Sequence, residues 1–451
     1  MKRISFLLLL CLAGTLCACK KYLDAKPDKK LAVPQNLQDL QALLDNYFYL
    51  NYLDASAGVI ASDEYYLTSN DWASLTNIDD QQNYLWDKEA TYYNNWSGPY
   101  QMVFYANVVL DNIHSVGYDS QTQADWNRIK GTALFFRANA FYQLATLYAK
   151  PYDAATAGKD LGIPLRLTAN VDEPSVRSSV QQTYDHMVQD LQEAATLLPA
   201  AITYKTRPSK PAAWALLARV LLAKEDYPQA GLYADSCLQL YDSLMDYNQL
   251  SASATNPISL FNSEVLYHSR LSGGGPLTPA RCKVDSNLYR SYAPADLRRT
   301  VLFKSNGDGS YAFKGDYGNN NSSQRFTGLA TDEMYLIRAE CFARAGKVPE
   351  AMSNLNTLLK KRWKQGSFQP FSAVDAIAAL DIILQERKKE LLFRAQRWPD
   401  LRRLNKDARF AVTLKRVVNG QTYLLPPNDV RYTLLIPAQV IATSGIQQNE
   451  R

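Results

Sequence analysis

Three groups of residues in this sequence carry the means for chemistry. Asp63-Glu64-Tyr65-Tyr66 leads to Trp72, and Tyr84, Trp86, Tyr92 and Tyr93 follow closely. A second aromatic group holds Tyr289, Tyr292, Tyr311, Phe313, Tyr317 and Phe326, with Arg290 inside it. An aromatic plane takes the axial C–H face of a sugar ring, while carboxylate, amide or guanidinium neighbours fix its hydroxyls. Asp63, Glu64, Asn70, Asp71 and Arg290 stand beside the rings for that second task. The expected ligand contacts are Asp63, Glu64, Tyr65, Trp72, Tyr289, Arg290 and Tyr311, with Trp72 and Tyr289 foremost. Most rings in any fold serve the core, so only a minority of each group is expected to meet ligand. The third group, Leu16-Cys17-Ala18-Cys19, reads as an expected site for processing and lipid attachment.

Signatures of catalysis are missing from the sequence. It holds no G-x-S-x-G, H-E-x-x-H, P-loop or dinucleotide fingerprint. His114, His186 and His268 each lack a second ligand at i+3 or i+4, so no metal site is expected. A glycosidase needs two carboxylates across one cleft, and Asp63-Glu64 or Asp79-Asp80 are merely adjacent acids. Asn306-Gly307-Asp308-Gly309 reads as a turn, because no bidentate Glu follows at the offset a calcium loop requires. The expectation is no catalytic residue and no cofactor.

Met1-Lys2-Arg3 followed by an apolar run from Ile4 to Gly14 is a signal-peptide core, too short for a membrane span. Leu16 at −3, Ala18 at −1 and Cys19 at +1 resemble a bacterial lipobox. Residues 1–18 are therefore the expected signal peptide, Cys19 the lipidation site and 19–30 a polar tether containing Pro27. Cleavage leaves 47 basic against 44 acidic residues, a near-neutral balance that argues against nucleic-acid binding. Cys237, Cys282 and Cys341 are widely separated, and their spacing specifies no disulfide. The 29 tyrosines among 451 residues are an excess that needs placing.

The elements behind these groups read as mostly helical. Leu37, Leu40, Leu43 and Leu44 share one helix face. Tyr100 to Ile113, Trp126 to Tyr148, Tyr184 to Leu198, Lys210 to Leu240, Thr331 to Ala345, Val348 to Trp363 and Val374 to Leu404 repeat the pattern. Val265 to Tyr267, Tyr311 to Phe313 and Tyr432 to Ile436 are the short strand candidates.

Two helical segments are related. Trp214, Leu217, Ala218, Leu221, Tyr227, Ala230, Ala234 and Cys237 have the spacing of a tetratricopeptide unit, two antiparallel helices with small residues at their crossing. Tyr335, Ala339, Phe342, Val348, Ala351, Leu355 and Leu358 repeat those offsets, with Gly346 in the turn and Arg338 where Leu217 stands. Ala230 and Ala351 are 121 positions apart in the sequence, which an unbroken array of 34-residue units cannot produce. Long insertions between helix pairs are where function is built.

Glu386-Arg387-Lys388-Lys389-Glu390-Leu391-Leu392-Phe393, continuing to Arg397, Asp400, Leu401, Arg402 and Arg403, resembles the signature of the RagB/SusD family of outer-membrane nutrient-binding lipoproteins. Arg394-Ala395 stands where that family has Glu-Gly. Leu336 to Glu340 with Arg344-Ala345-Gly346, Phe136-Arg137-Ala138 to Tyr148, Trp96 to Asn107, Asp190-Leu191 to Leu198-Pro199, and Leu435-Ile436-Pro437 with Gln448-Asn449 match in family order. The resemblance implies a mainly α, SusD-like fold of tetratricopeptide-like helix pairs with loop-rich insertions and a few short strands. It divides one globular unit into an N-terminal helical region, 31–255, and a C-terminal region, 256–451. It also implies a lipid-anchored location on the outer membrane facing the exterior. The implied role is capture of oligosaccharide or similar nutrient for a TonB-dependent, SusC-like transporter that meets the helix-pair side. A helical carbohydrate-active enzyme and a protein-binding adaptor are the alternatives.

The charged run at 386–403 has a plain structural reading. Glu390–Arg394, Glu386–Lys389, Arg397–Asp400 and Asp400–Arg403 fall at i,i+4 or i,i+3, the spacing of pairs that lace an exposed helix face.

Overall fold

The computed structural model describes residues 34–451, so the expected signal peptide, Cys19 and tether lie outside the described residues. The described chain opens with α1 (Leu37–Leu44) and α2 (Tyr47–Asn51). The first is started by Asn36, whose side chain accepts from the Asp39 amide at 2.9 Å. A strand, β1 (Tyr65–Tyr66), precedes a one-turn helix, α3 (Ser69–Ala73).

A helical array follows. It begins with α4 (Tyr93–Val116), α5 (Gln123–Tyr148), α6 (Val180–Leu197), α7 (Lys210–Ala223) and α8 (Tyr227–Leu240), each packed on the next. Ser179 and Ser209 cap α6 and α7, and Asp226 with Pro228 starts α8. The chain then leaves the array through the insertion that carries β2 (Lys283–Val284), α9 (Ser286–Ser291), β3 (Phe303–Ser305) and β4 (Tyr311–Phe313). It returns as α10 (Thr331–Arg344), α11 (Val348–Lys360), α12 (Ala376–Glu390) and α13 (Arg397–Leu404). Helix α10 packs directly on α8 as well as on α11 and α12. The two related helix pairs, far apart in sequence, are thus consecutive in space.

The small residues explain how the array closes. Ala218, Ala230, Ala234, Ala339 and Ala351 are fully buried at the crossings. A Cβ at Gly231 would sit 2.9 Å from the Cβ of Cys341, so glycine sets the approach of α8 to α10. Arg338, in place of the apolar residue of the first unit, keeps to the half-buried rim. It donates to Asp235 of α8 and Asn354 of α11, each at 2.6 Å. Cys237, Cys282 and Cys341 are free thiols in buried positions.

One strand assignment needs correction. Tyr432 to Ile436 forms no strand: Val430–Tyr432 is a turn of 3₁₀ helix, and the Leu434 amide reaches only the Leu147 carbonyl, at 2.7 Å. Val265–Tyr267 and Tyr311–Phe313 are strands as expected. An additional hairpin, β5 (Leu414–Val418) and β6 (Gln421–Leu425), turns at Asn419-Gly420 with positive φ at both residues. That dipeptide between alternating apolar residues is a hairpin signal legible in the sequence.

The charged run at 386–403 is buried. Glu386, Arg387, Lys389, Glu390, Arg394, Asp400, Arg402 and Arg403 are all less than a tenth exposed. Glu386–Lys389 and Asp400–Arg403 do pair, at 2.6 and 2.8 Å. Glu390–Arg394 does not, because α12 ends at Glu390 and the following turn carries Arg394 off the helix face. Arg397–Asp400 does not, because Arg397 pairs with Asp63 and Asp400 with Arg387 and Arg403. Glu390 instead accepts from Arg298 at 2.9 Å and Arg362 at 2.7 Å. Arg394 meets Asp332 at 3.0 Å. Arg362 also pairs with Glu264, and Arg298 with Asp296 and Glu386. Arg403 holds Glu340, and Arg387 holds Asp400. The run is an interior ionic frame that ties the insertion to the array.

Candidate glycan-binding face

Strands β1 and β2 pair antiparallel, with Tyr65 opposite Val284 and Tyr66 opposite Lys283. Opposed residues share a sheet face, so Tyr65 and Val284 point inward and Tyr66 and Lys283 outward. This joins the Asp63–Trp72 segment to the insertion that holds Tyr289 and Tyr311. The Lys283 ammonium donates to Asp71 at 2.7 Å. Asp71 is already fixed by the capping box of α3, accepting from the Thr68 hydroxyl at 2.6 Å. Burial pushes the Asp71 carboxyl up, but the bonds from Lys283 and Thr68 outweigh it and hold the carboxyl below its ordinary range. A second strut runs from Arg281 to the Ser74 hydroxyl at 2.8 Å. The tip of the β5–β6 hairpin closes one side, where the Asn419 amide donates to the Ser69 hydroxyl at 2.8 Å.

Beside this joint, Tyr289 of α9 and Tyr311 of β4 stack nearly parallel, centroids 3.5 Å apart and planes 17° from parallel. The Arg299 guanidinium lies 5.1 Å over Tyr289 and donates to its hydroxyl at 3.4 Å. Strands β3 and β4 form a hairpin with Ser305 opposite Tyr311. Its tip is the Asn306–Gly309 turn, with positive φ at Gly307 and Gly309. Asp308 accepts from the Ser310 amide and hydroxyl at 2.9 and 2.6 Å, so this acid serves a turn. Those bonds, with a contribution from Lys283, hold its carboxyl below the ordinary range. Arg290 is exposed and donates to Asn287 at 2.6 Å.

The expected contacts therefore divide. Trp72, Tyr289 and Tyr311 are half-buried, each with part of its surface on the core and part on solvent. The Trp72 indole donates to the Gln81 carbonyl at 3.3 Å, which fixes the ring plane. Arg290 is at the surface. Asp63, Glu64 and Tyr65 face the protein instead. Asp63 accepts a two-pronged bond from Arg397 at 2.6 and 2.9 Å and a third from Lys388 at 2.8 Å. Burial pushes its carboxyl up, and these two cations reverse the shift and hold it well below the usual range. Glu64 is 1% exposed; one oxygen accepts from the Phe393 amide at 2.8 Å and the other from Ser62 at 2.9 Å. Burial pushes the Glu64 carboxyl up to about 7. Tyr65, 3% exposed, donates to the Ile60 carbonyl at 2.9 Å. The expectation that these three touch ligand is corrected: the turn before β1 points them at α12, α13 and the core.

Most of the other named rings are interior too. Tyr84, Trp86, Tyr92, Tyr292, Phe313, Tyr317 and Phe326 are buried, whereas Tyr93 is exposed. Sequence reasoning missed Lys283, Arg281 and Arg299, since nothing near them in the chain marks their partners. It also missed Arg416, whose guanidinium lies 3.7 Å from the Tyr84 ring and 4.6 Å from Trp86 and donates to the Ile60 and Ser62 carbonyls. That stack locks the hairpin beneath the aromatic face. Among the described residues, no group of His, Cys, Asp and Glu is arranged to hold a metal ion.

Comparison with known proteins bears on this architecture. Residues 21–222 match the family described as SusD-like, starch-binding and associating with the outer membrane, and residues 297–432 match the SusD family, SusD/RagB. Together these cover about three quarters of the chain, including the Asp63–Trp72 segment, Tyr311 and the 386–403 run. The chain belongs to the SusD/RagB family. SusD-like protein P2 of Formosa agariphila is 24% identical over 373 residues, 68% of this chain and 71% of the relative. The crystal structure of a SusD superfamily protein from Bacteroides thetaiotaomicron shares the fold with a TM-score of 0.75. It is 23% identical and covers 92% of this SusD-like chain and 100% of its own. Surface glycan-binding protein A of Bacteroides uniformis superposes with a TM-score of 0.70 at 15% identity, over 91% of this chain and 99% of its own.

Proposed function

We propose that this SusD-like chain is a lipid-anchored receptor of the outer membrane that binds a glycan without cleaving it and passes it to a TonB-dependent, SusC-like transporter. The observation that carries the reading is the joining of two distant aromatic segments by β1–β2 and the Lys283–Asp71 strut. It sets Trp72, Tyr289 and Tyr311 on elements bonded to one another, with Arg290 next to Tyr289 in the chain. Preset rings bind a sugar with little ordering cost. The family description as starch-binding and the surface glycan-binding protein of like fold support the ligand class.

The adjacent acids Asp63 and Glu64 support binding over cleavage. Their ionisation is pushed apart as in an acid and nucleophile pair, yet both Glu64 oxygens are bonded inside the protein. A groove of about 530 Å³ between α8 and α10, edged by Tyr227, Leu232 and Phe342 with Arg338, Arg344 and Lys347, supports a partner on the helix-array side. Lipid attachment rests on Cys19, and no described helix is long and apolar enough to cross a membrane.

Purified protein offered a panel of neutral oligosaccharides is expected to retain one or more of them unchanged. Shortened products would place it with the enzymes, and retention of none would leave the adaptor reading. Cys19→Ala is expected to move the protein from the membrane to the soluble fraction. A wild type that carries no fatty acid yet stays on membranes refutes the lipid anchor. Mild-detergent purification is expected to bring a barrel transporter with it, and repeated recovery of the lipoprotein alone counts against that partner.

A further inference from the structure

A second aromatic cleft lies away from this face and shares no residue with it. It is about 480 Å³, within the range of small-molecule clefts, and is lined by Tyr47 and Tyr52 at α2, by Tyr204 and by Phe261. The Tyr47 and Tyr52 rings meet edge to face, centroids 4.4 Å apart and planes at 78°. Tyr204 and Phe261 are 59% and 40% exposed. At the rim the Arg207 guanidinium lies 5.1 Å over Tyr204 and forks onto Asp45 at 2.8 and 2.7 Å.

Two observations mark the cleft as more than surface. Phe261 holds φ at +56°, a conformation that costs an L-residue about 1–2 kcal/mol, and it does so to present a ring that is largely outside the core. Strain of this kind persists where the surrounding structure over-determines it and clusters at binding sites. Beneath the ring, His268 is fully buried and neither ring nitrogen has a hydrogen-bond partner. It lies 5.1 Å from Phe261 and 6.5 Å from Tyr47, centroid to centroid. Burial, aided by Arg270, brings its pKa down to about 3, so the ring is neutral and holds one donor and one acceptor in reserve. A buried polar group left unpaired is costly, and displacement of the Phe261 ring is what would open it to a ligand hydroxyl.

We propose that this cleft is a second glycan subsite, in which a pyranose packs on Tyr52, Tyr204 and Phe261 while its hydroxyls engage Asp45 and Arg207. An aliphatic ligand would cover that fork and use neither its donors nor its acceptors, whereas a sugar uses the rings and the fork together. The subsite rests on the glycan-binding reading, and the test separates the two.

Full-length lipoprotein in detergent is titrated calorimetrically with malto-, laminari-, cello- and xylohexaose. In a Trp72→Ala/Tyr311→Ala background, at least one hexasaccharide is expected to remain bound. Adding Tyr204→Ala is expected to weaken that residual binding at least tenfold, with the melting temperature unchanged because Tyr204 is mostly in solvent. Adding Phe261→Ala instead should do the same. Loss of all binding in the Trp72→Ala/Tyr311→Ala variant overturns the second subsite and leaves the first standing, and residual binding indifferent to Tyr204→Ala overturns the second subsite. A wild type that binds none of the four overturns both.

Discussion

Tyr311 and Tyr289 form one stack but do different work. Tyr311 lies on β4 with its ring stacked on Tyr289, whereas Tyr289 also packs on Phe303 and holds Arg299. An aromatic contact of this type contributes about 1–2 kcal/mol. Tyr311→Ala is accordingly expected to weaken glycan binding about tenfold with a near-normal melting temperature. Tyr289→Ala should weaken binding similarly and also lower the melting temperature. Calorimetric titration beside thermal melts reads both, and normal binding by both variants removes the stack from the site. Glu64 belongs to the same scale. Its folded pKa of about 7 lies above the ordinary 4.5, so its contribution to stability is full below 4.5 and is lost as pH rises through 7. The E64Q amide keeps an acceptor for the Phe393 amide and donates to Ser62, whose own proton has the Val59 carbonyl at 2.9 Å. Wild type and E64Q are expected to melt alike at pH 5, and E64Q at least about 2 °C higher at pH 8. A gap that does not widen with pH shows that Glu64 is not the group being strained.

The turn between α12 and α13 shows what one residue asks of an element. Phe393 and Ala395 both take φ of +59°, and position 395 is where the family signature carries glycine. An L-residue there costs about 1–2 kcal/mol, of which glycine gives back part through its freedom in the unfolded chain. The turn persists because its surroundings hold it: Glu64 takes the Phe393 amide, Asp332 takes Arg394, and Gln396 donates to the Arg394 carbonyl at 3.2 Å. Ala395→Gly is therefore expected to stabilise the protein by about 0.5–1 kcal/mol, read by denaturant melts. Destabilisation would mean that the methyl group is worth more in packing than the backbone loses in strain.

Across the whole molecule, the interior ions join what the chain order separates. Arg362 is fully buried and connects Glu264, Glu390 and the Met245 carbonyl, the last at 2.7 Å. Removing one partner of such a set leaves charges buried and unpaired, at a cost of about 3–5 kcal/mol. Arg362→Met should lose that much, and more at pH 8 than at pH 5, because Glu264 and Glu390 are then left to ionise without it. Burial already pushes Glu264 up to about 7, with Arg362 opposing the shift. Equal losses at both pH values would assign the effect to packing alone. The same network holds the insertion against the array, so glycan binding by the variant should fall as its stability falls.

Helical periodicity, the repeated small residues of the two helix pairs and the 386–403 signature were enough to read the helical class, the two related helix pairs and the family from the chain alone. These are local properties: a helix face, a crossing and a cap each need residues only a few positions apart. Trp72, Tyr289 and Tyr311 stood in the sequence as aromatic candidates beside polar residues, but so did Tyr65 and Tyr84, and only the fold decided which rings keep a solvent face. The tertiary structure alone decided that Asp63, Glu64 and Tyr65 face inward, since their partners Arg397, Lys388 and Phe393 lie more than 300 residues away. It also decided that the 386–403 charges are interior, because spacing along a helix gives pairs without saying what covers them. The joining of Asp71 to Lys283 across 212 residues is a matter of which strands meet, and strand pairing depends on the whole path of the chain.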